Sequence, residues 1–208
     1  MNTYDQKILL WPSVCFVFKW KDYHEHKDNL INFCYKLKEE NNESDIARMV
    51  KNNLFESTFD FLEKPVQPVQ QLKSFINEKI WEVLQEMNGD RMKENDTVHV
   101  NYESWMHITN DNGYHDYHVH PMCSWCGIFY AQPADTKEGN GVNRFYNPYN
   151  NLYSDYGSLY QTSLYAYQPE EGDLFIFPSH IGHNATPYKG DKDRIVIAFN
   201  AQVEKLSD

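Results

Sequence analysis

The stretch Asp116–Gln132, DYHVHPMCSWCGIFYAQ, decides how the second half of this chain is read. It divides into two strand candidates, 116–121 and 125–132, separated by the short segment Met122–Ser124. In an extended strand, residues i and i+2 point to the same face. The imidazoles of His118 and His120 can therefore address one point in space. The second run, Trp125 to Gln132, is apolar enough for a strand buried on both faces.

Outward from this stretch the texture is uniform. Short apolar or alternating runs at 97–108, 143–147, 163–168, 173–178 and 194–203 are separated by Asn, Gly, Asp and Pro. Many short strands with turn residues between them describe a sandwich or barrel.

Before residue 97 the pattern is different. Residues 8–19 (ILLWPSVCFVFK) read as one strand. Asp28 to Glu40 places Leu30, Ile31, Phe33, Cys34 and Leu37 at helical spacing, with Asp28 as the N-cap. Residues 41–65 read as a loop around a short element. Pro65 and Pro68 precede the clearest helix, Val69–Glu86, which turns Leu72, Phe75, Ile76, Ile80, Trp81 and Leu84 inward and stops at Asn88-Gly89. Helices first and strands after give an α+β fold with the helices on one side of a β-core. The 208 residues are read as a single domain, with 1–96 as strand and helical support and 97–203 as the core.

Composition narrows the function classes. A net charge of −11 repels phosphate backbones, so no nucleic-acid partner is expected. No apolar run reaches membrane-spanning length, and ILLWPSVCFVF near the N-terminus has no basic lead-in that would make it a signal peptide. Four cysteines are too few for a disulfide scaffold, and a cytoplasmic location is expected. Aromatic residues make up 15% of the chain, which agrees with a sheet-rich fold.

The chemistry concentrates in the second half. Beyond His118 and His120, His183 follows the strand Asp173–Phe177 and the turn FPSHIGH, where a jelly roll can bring distant strand ends together. Three imidazoles with open positions suit a first-row transition metal, Fe(II) among them. Arg194 opens the apolar run RIVIAFNAQV, and a charge entering such a strand is costly unless it is paired. A dianion beside the metal would pair it through a bidentate fork.

Together, His-x-His-Pro, Cys-Gly-Ile-Phe-Tyr, Gly-Asp-Leu-Phe-Ile-Phe-Pro-Ser, His183 and Arg-Ile-Val-Ile-Ala-Phe-Asn resemble the 2-oxoglutarate–Fe(II) oxygenase superfamily, and within it the oxygenases frequent in marine bacteria and tailed phages. The resemblance spans 97–203 and weakens toward the N-terminus, where NLFESTFDF and the long helix still fit. It implies a double-stranded β-helix, a cupin-like jelly roll. It also implies His118, His120 and His183 as Fe(II) ligands, with His120 standing where most of the superfamily has a carboxylate. Arg194 would bind the distal carboxylate of 2-oxoglutarate, with Tyr130 a further partner for that carboxylate. O₂ would be consumed and succinate and CO₂ released. Val196 stands where the superfamily often has a hydroxyl, so one cosubstrate contact is in doubt. With His120 filling the third position, halogenation is not expected.

Asp116 shares the His118 face and is a partner for an imidazole N–H, or plain surface, in preference to a ligand. His180 competes with His183 as ligand, and the apolar strand favours His183. His115 is assigned to a loop. His24-Glu25-His26 leads into a helix, where i and i+2 do not share a face. Cys123 and Cys126 are assigned to packing. Trp105 and Trp125 are core or pocket wall, and the tyrosines of 146–167 are ordinary aromatics or a lid.

Two competing functions stay open: a three-His cupin-type dioxygenase that does not use 2-oxoglutarate, and a non-catalytic β-sandwich interaction module. The partner expected is a small-molecule or peptidyl substrate. Oligomeric state is open, with a homodimer as one option.

Overall fold

The computed structural model describes residues 13–45, 49, 52–92, 96–148 and 163–205. In chain order they form β1 (Phe16–Lys19), α1 (Tyr23–Glu39), β2 (Leu54–Glu56), a 3₁₀ turn (Phe61–Glu63), α2 (Gln67–Asn88) and a second 3₁₀ turn (Gly89–Arg91). Then follow β3 (Val98–Thr109), β4 (Gly113–His118), β5 (Trp125–Gln132), β6 (Asn143–Tyr146), β7 (Leu164–Tyr167), β8 (Asp173–Pro178), β9 (His183–Tyr188) and β10 (Arg194–Lys205). Two antiparallel sheets result. The larger has the order β1-β8-β5-β10-β3-β2 and the smaller β4-β9-β6-β7. This is the α+β jelly-roll arrangement, with the helices against the larger sheet.

Strand alternation gives the larger sheet two different faces. Met106, Ile108, Phe129, Leu174, Ile176, Ile195 and Ile197 join Leu30, Leu72, Ile76 and Ile80 of the helices in one apolar cluster. The intervening residues, among them Cys126, Ile128, Tyr130, Phe175, Phe177 and Val196, turn the other way and meet Phe145 and Tyr167 of the smaller sheet. Gly127 lies opposite Phe199 in the β5–β10 register. A Cβ there would stand 2.2 Å from the Phe199 ring, so only glycine admits the ring.

The sequence boundaries shift where turn chemistry or tertiary contacts intervene. The first helix begins at Tyr23 and not Asp28, and Asp22 precedes it without a side-chain cap. Tyr23 is buried there, edge-on to Phe129, and its hydroxyl donates to the Ala131 carbonyl. The second helix also buries Val69 and Val83, while Phe75 and Trp81 are half-buried. It ends at Asn88, and Gly89 follows at φ +50°. The described part of the N-terminal strand is Phe16–Lys19; residues 8–12 lie outside the described residues.

In β4, strand pairing runs from Gly113 to His118 where 116–121 was expected. Asp111 and Asn112 both have positive φ, and the Gly113 amide donates to the Asn110 carbonyl at 2.7 Å. This tight turn starts the strand early. Met122 at φ +63° turns the chain after it, so His120 sits in a loop and not in the strand. His115, assigned to a loop from sequence, lies within β4. The strand β9 was not read from sequence at all: its run His-Asn-Ala-Thr-Pro-Tyr is polar and contains Pro187. Among the described residues, no helix is long and apolar enough to cross a membrane.

Candidate metal and dianion site

The register between β4 and β9 places His118 directly opposite His183, and β6 places Phe145 on the other side of His183. His120, in the loop after β4, is held by its amide donating to the Ser179 carbonyl. These three segments bring one ligand atom from each of His118, His120 and His183 within 4.8 Å of one another. The loop thus achieves what alternation in a longer strand was expected to do.

Main-chain carbonyls set the rings. The His118 Nδ1 faces the Asp116 carbonyl at 2.7 Å, and the His183 Nδ1 faces the Ile181 carbonyl at 3.1 Å. With Nδ1 protonated in these bonds, each Nε2 keeps a lone pair directed inward. The Nε2 atoms of His120 and His183 face each other at 3.4 Å. Bonds of about 2.0–2.1 Å from each nitrogen to a metal span such a gap, and a cation there would take the place of the hydrogen bond that an Nε2–H on His120 makes to His183. Burial, with the neighbouring imidazole His118 adding to it, pushes His183 down to about 2 and His120 down to about 4. Burial lowers His118 as well. The rings are therefore neutral, as metal ligands must be. The donor set fits a divalent transition ion.

The aromatic surroundings are dense. Trp105 stacks on His120 at 5.8 Å, and Phe145 and Phe177 flank His183 at 5.7 and 4.8 Å. Trp105 is both core and cavity wall: it is buried, and its indole Nε1 has no hydrogen-bond partner among the described residues.

Arg194, first residue of β10, lines the same cavity and is 2% exposed. Burial lowers it from its ordinary value, yet a guanidinium stays charged. Its Nη2 donates to the Asn143 Oδ1 at 2.6 Å, its Nε has no partner, and no carboxylate pairs with it among the described residues. A buried cation answered only by a neutral amide is a costly arrangement that an anion in the cavity would relieve. Tyr130 lies fully buried beside it, its ring 5.8 Å from the Arg194 Cζ, and its hydroxyl donates to the same Asn143 Oδ1 at 2.9 Å. Asn143, at the head of β6, is thus the hinge between Tyr130 and Arg194. Sequence reading passed over it because a lone Asn at a strand end carries no pattern. Val196 lines the cavity two residues after Arg194.

Residues 103–200 match the family model described as "Putative 2OG-Fe(II) oxygenase".

The chain therefore resembles the 2-oxoglutarate–Fe(II) oxygenases, and the matched segment holds all three imidazoles, Tyr130, Asn143 and Arg194. Solved oxygenases share its fold. A prolyl-4-hydroxylase from Pseudomonas putida superposes with a TM-score of 0.65 at 11% identity, over 90% of this chain and 92% of its own. A prolyl hydroxylase from Trichoplax adhaerens, in complex with a peptide fragment of the hypoxia inducible factor oxygen degradation domain, gives 0.61 at 12% identity, over 90% and 83%. HygX from Streptomyces hygroscopicus, with nickel, 2-oxoglutarate and hygromycin B bound, gives 0.58 at 9% identity, over 91% and 83%. At such identities the likeness is one of fold. No curated protein sequence matches the chain.

The remaining candidates take no part in the three-imidazole cluster. The carboxylate of Asp116 is exposed and takes no part in the three-imidazole cluster; its main-chain carbonyl serves His118 instead. His180 is exposed and bonds Ser13. His24 is exposed in the first turn of α1, and His26 stacks on Trp20. The thiols of Cys123 and Cys126 are free, with their sulfurs 3.6 Å apart, and Cys126 lines the cavity. Of the tyrosine-rich segment, Tyr149, Tyr153, Tyr156 and Tyr160 lie outside the described residues. Tyr146 donates to Asn184, Tyr167 to Asp173, and Tyr165 is exposed.

Proposed function

We propose that the protein is a 2-oxoglutarate- and Fe(II)-dependent oxygenase acting as a hydroxylase, with His118, His120 and His183 as iron ligands and residues 1–96 as support for the jelly-roll core. One observation carries the reading: Arg194 is buried with no carboxylate partner among the described residues, in the same cavity as three converging neutral imidazoles. A dianionic cosubstrate held by Arg194, beside a metal held by the three imidazoles, would account for both. When bound, Fe(II) and 2-oxoglutarate supply O₂ activation coupled to decarboxylation, so that succinate and CO₂ leave and an oxygen atom enters a substrate C–H bond.

The chain's own residues bind, orient and exclude water. Arg194 would hold the distal carboxylate, and Asn143 fixes the guanidinium while keeping the Tyr130 hydroxyl turned to itself. The Asp116 and Ile181 carbonyls fix two ligand tautomers. Ile128, Val196 and Ala198 give the cavity an apolar wall, and Phe177 shields His183. Because Val196 brings no hydroxyl, Arg194 carries more of the carboxylate recognition. The substrate is a small molecule or a peptidyl group, the two classes found on HygX and on the Trichoplax hydroxylase.

Anaerobic addition of Fe(II) and 2-oxoglutarate should give a visible charge-transfer band, and admission of O₂ should give succinate. In Arg194→Met both should vanish while iron remains bound. Unchanged succinate formation in that variant would overturn the reading.

A further inference from the structure

Behind His118 lies a second convergence of ligand groups that the oxygenase reading does not use. Glu56 on β2 is opposite His107 on β3 in the sheet register. Its Oε2 is 2.8 Å from the His107 Nε2 and 3.9 Å from the Nε2 of His115 on β4. One ligand atom from each of the three lies within 4.8 Å of the others. The His107 and His115 rings stack at 5.2 Å, so both edges are presented together.

The carboxylate is prepared for this. Glu56 is 5% exposed, and its Oε1 accepts from the Ser44 hydroxyl at 2.6 Å, which leaves Oε2 for the imidazoles. A hydrogen-bonded pair of Glu56 and His107 would be complete by itself. The third ring, His115, brings its Nε2 to 3.9 Å from the same oxygen, beyond hydrogen-bond reach. A cation takes all three. The edge of a tetrahedron with metal–ligand bonds of about 2.0–2.1 Å is roughly 3.3 Å, between the two separations seen here. Two imidazoles and one carboxylate are a donor set for first-row divalent metals.

The cluster is separate from the three-imidazole group. His115 and His118 meet through their Nδ1 atoms at 3.1 Å, and the His118 Nδ1 faces the Asp116 carbonyl. Their Nε2 atoms are consequently turned outward, one to each cluster. His107 and His115 also line the cavity.

We propose that Glu56, His107 and His115 form a second site for a divalent first-row transition cation. It joins β2 and β3 of the larger sheet to β4 of the smaller one. The inference does not depend on 2-oxoglutarate use.

Co(II) is the probe, followed by visible absorption and by metal analysis after equilibrium dialysis. The wild-type protein should take up two equivalents. His120→Ala/His183→Ala, which removes the first cluster, should take up one. Glu56→Gln/His115→Ala, which leaves that cluster intact, should also take up one, with the complementary spectrum. A wild-type stoichiometry of one, unchanged in Glu56→Gln/His115→Ala, would overturn the proposal. So would no uptake by His120→Ala/His183→Ala with a native circular dichroism spectrum; that variant leaves Glu56 untouched, so the test survives if the Glu56 variant does not fold. Absence of succinate formation alongside two bound equivalents would count against the oxygenase reading alone.

Discussion

Along β10 the side chains alternate between two environments. Ile195, Ile197 and Ala201 go to the helical side, where Leu72, Ile76 and Ile80 meet them. Arg194, Val196 and Ala198 go to the cavity, where the neighbours are imidazoles. β3 repeats the division, with Met106 and Ile108 on the helical side and Trp105 and His107 on the cavity side. The first face is apolar throughout and holds the fold together by burial. The second buries a guanidinium, a carboxylate and several imidazoles, which cost stability unless ligands answer them. One sheet thus separates stability from chemistry by a period of two residues.

The sharpest break of this comparison is His183→Ala. Removing a cavity-face ligand should bring oxygenase turnover to background, while thermal unfolding of the metal-free protein stays within a few degrees of wild type. A loss of fold would show that the cavity face also carries the core.

On the opposite face, Ile197→Ala should cost about 2–5 kcal/mol of stability, as large-to-small changes in closed cores do. Denaturant unfolding measures it, and metal affinity below the transition should be unchanged. Smaller still is Gly127→Ala, at the place where the two faces meet through the Phe199 ring. The added methyl must displace that ring, at a cost of about 1–3 kcal/mol. Because Gly127 also lines the cavity, cosubstrate affinity should fall with it, as calorimetric titration would register. Unaltered stability in Gly127→Ala would mean that the ring has room to move.

The helical face was legible in the sequence because apolar periodicity follows backbone geometry. The runs 125–132 and 173–178 coincide with β5 and β8. Helical spacing found α1 and α2, with their ends displaced by contacts such as Tyr23 on Phe129. The cavity face was legible only where residue type is itself the signal, as with His118, His120, His183 and Arg194. Asn143 was silent, and so was β9, whose polar run with a proline carries no alternation although it brings His183 to its partners. The joint role of Glu56, His107 and His115 was equally hidden, since 51 and then eight further positions divide them along the chain (107 − 56 and 115 − 107).

By itself the sequence determined the order of helices before strands, the apolar faces of most of them, and the residue types able to hold a metal and a dianion. These follow from local backbone periods and from side-chain chemistry, which travel with each residue. Tertiary structure decided that His120 reaches the cluster from a loop, that Arg194 meets Asn143 and, among the described residues, no carboxylate, and that His115 and His118 meet at their Nδ1 atoms. Those facts depend on register between strands distant in the chain, and register is set by the packing of both sheets at once.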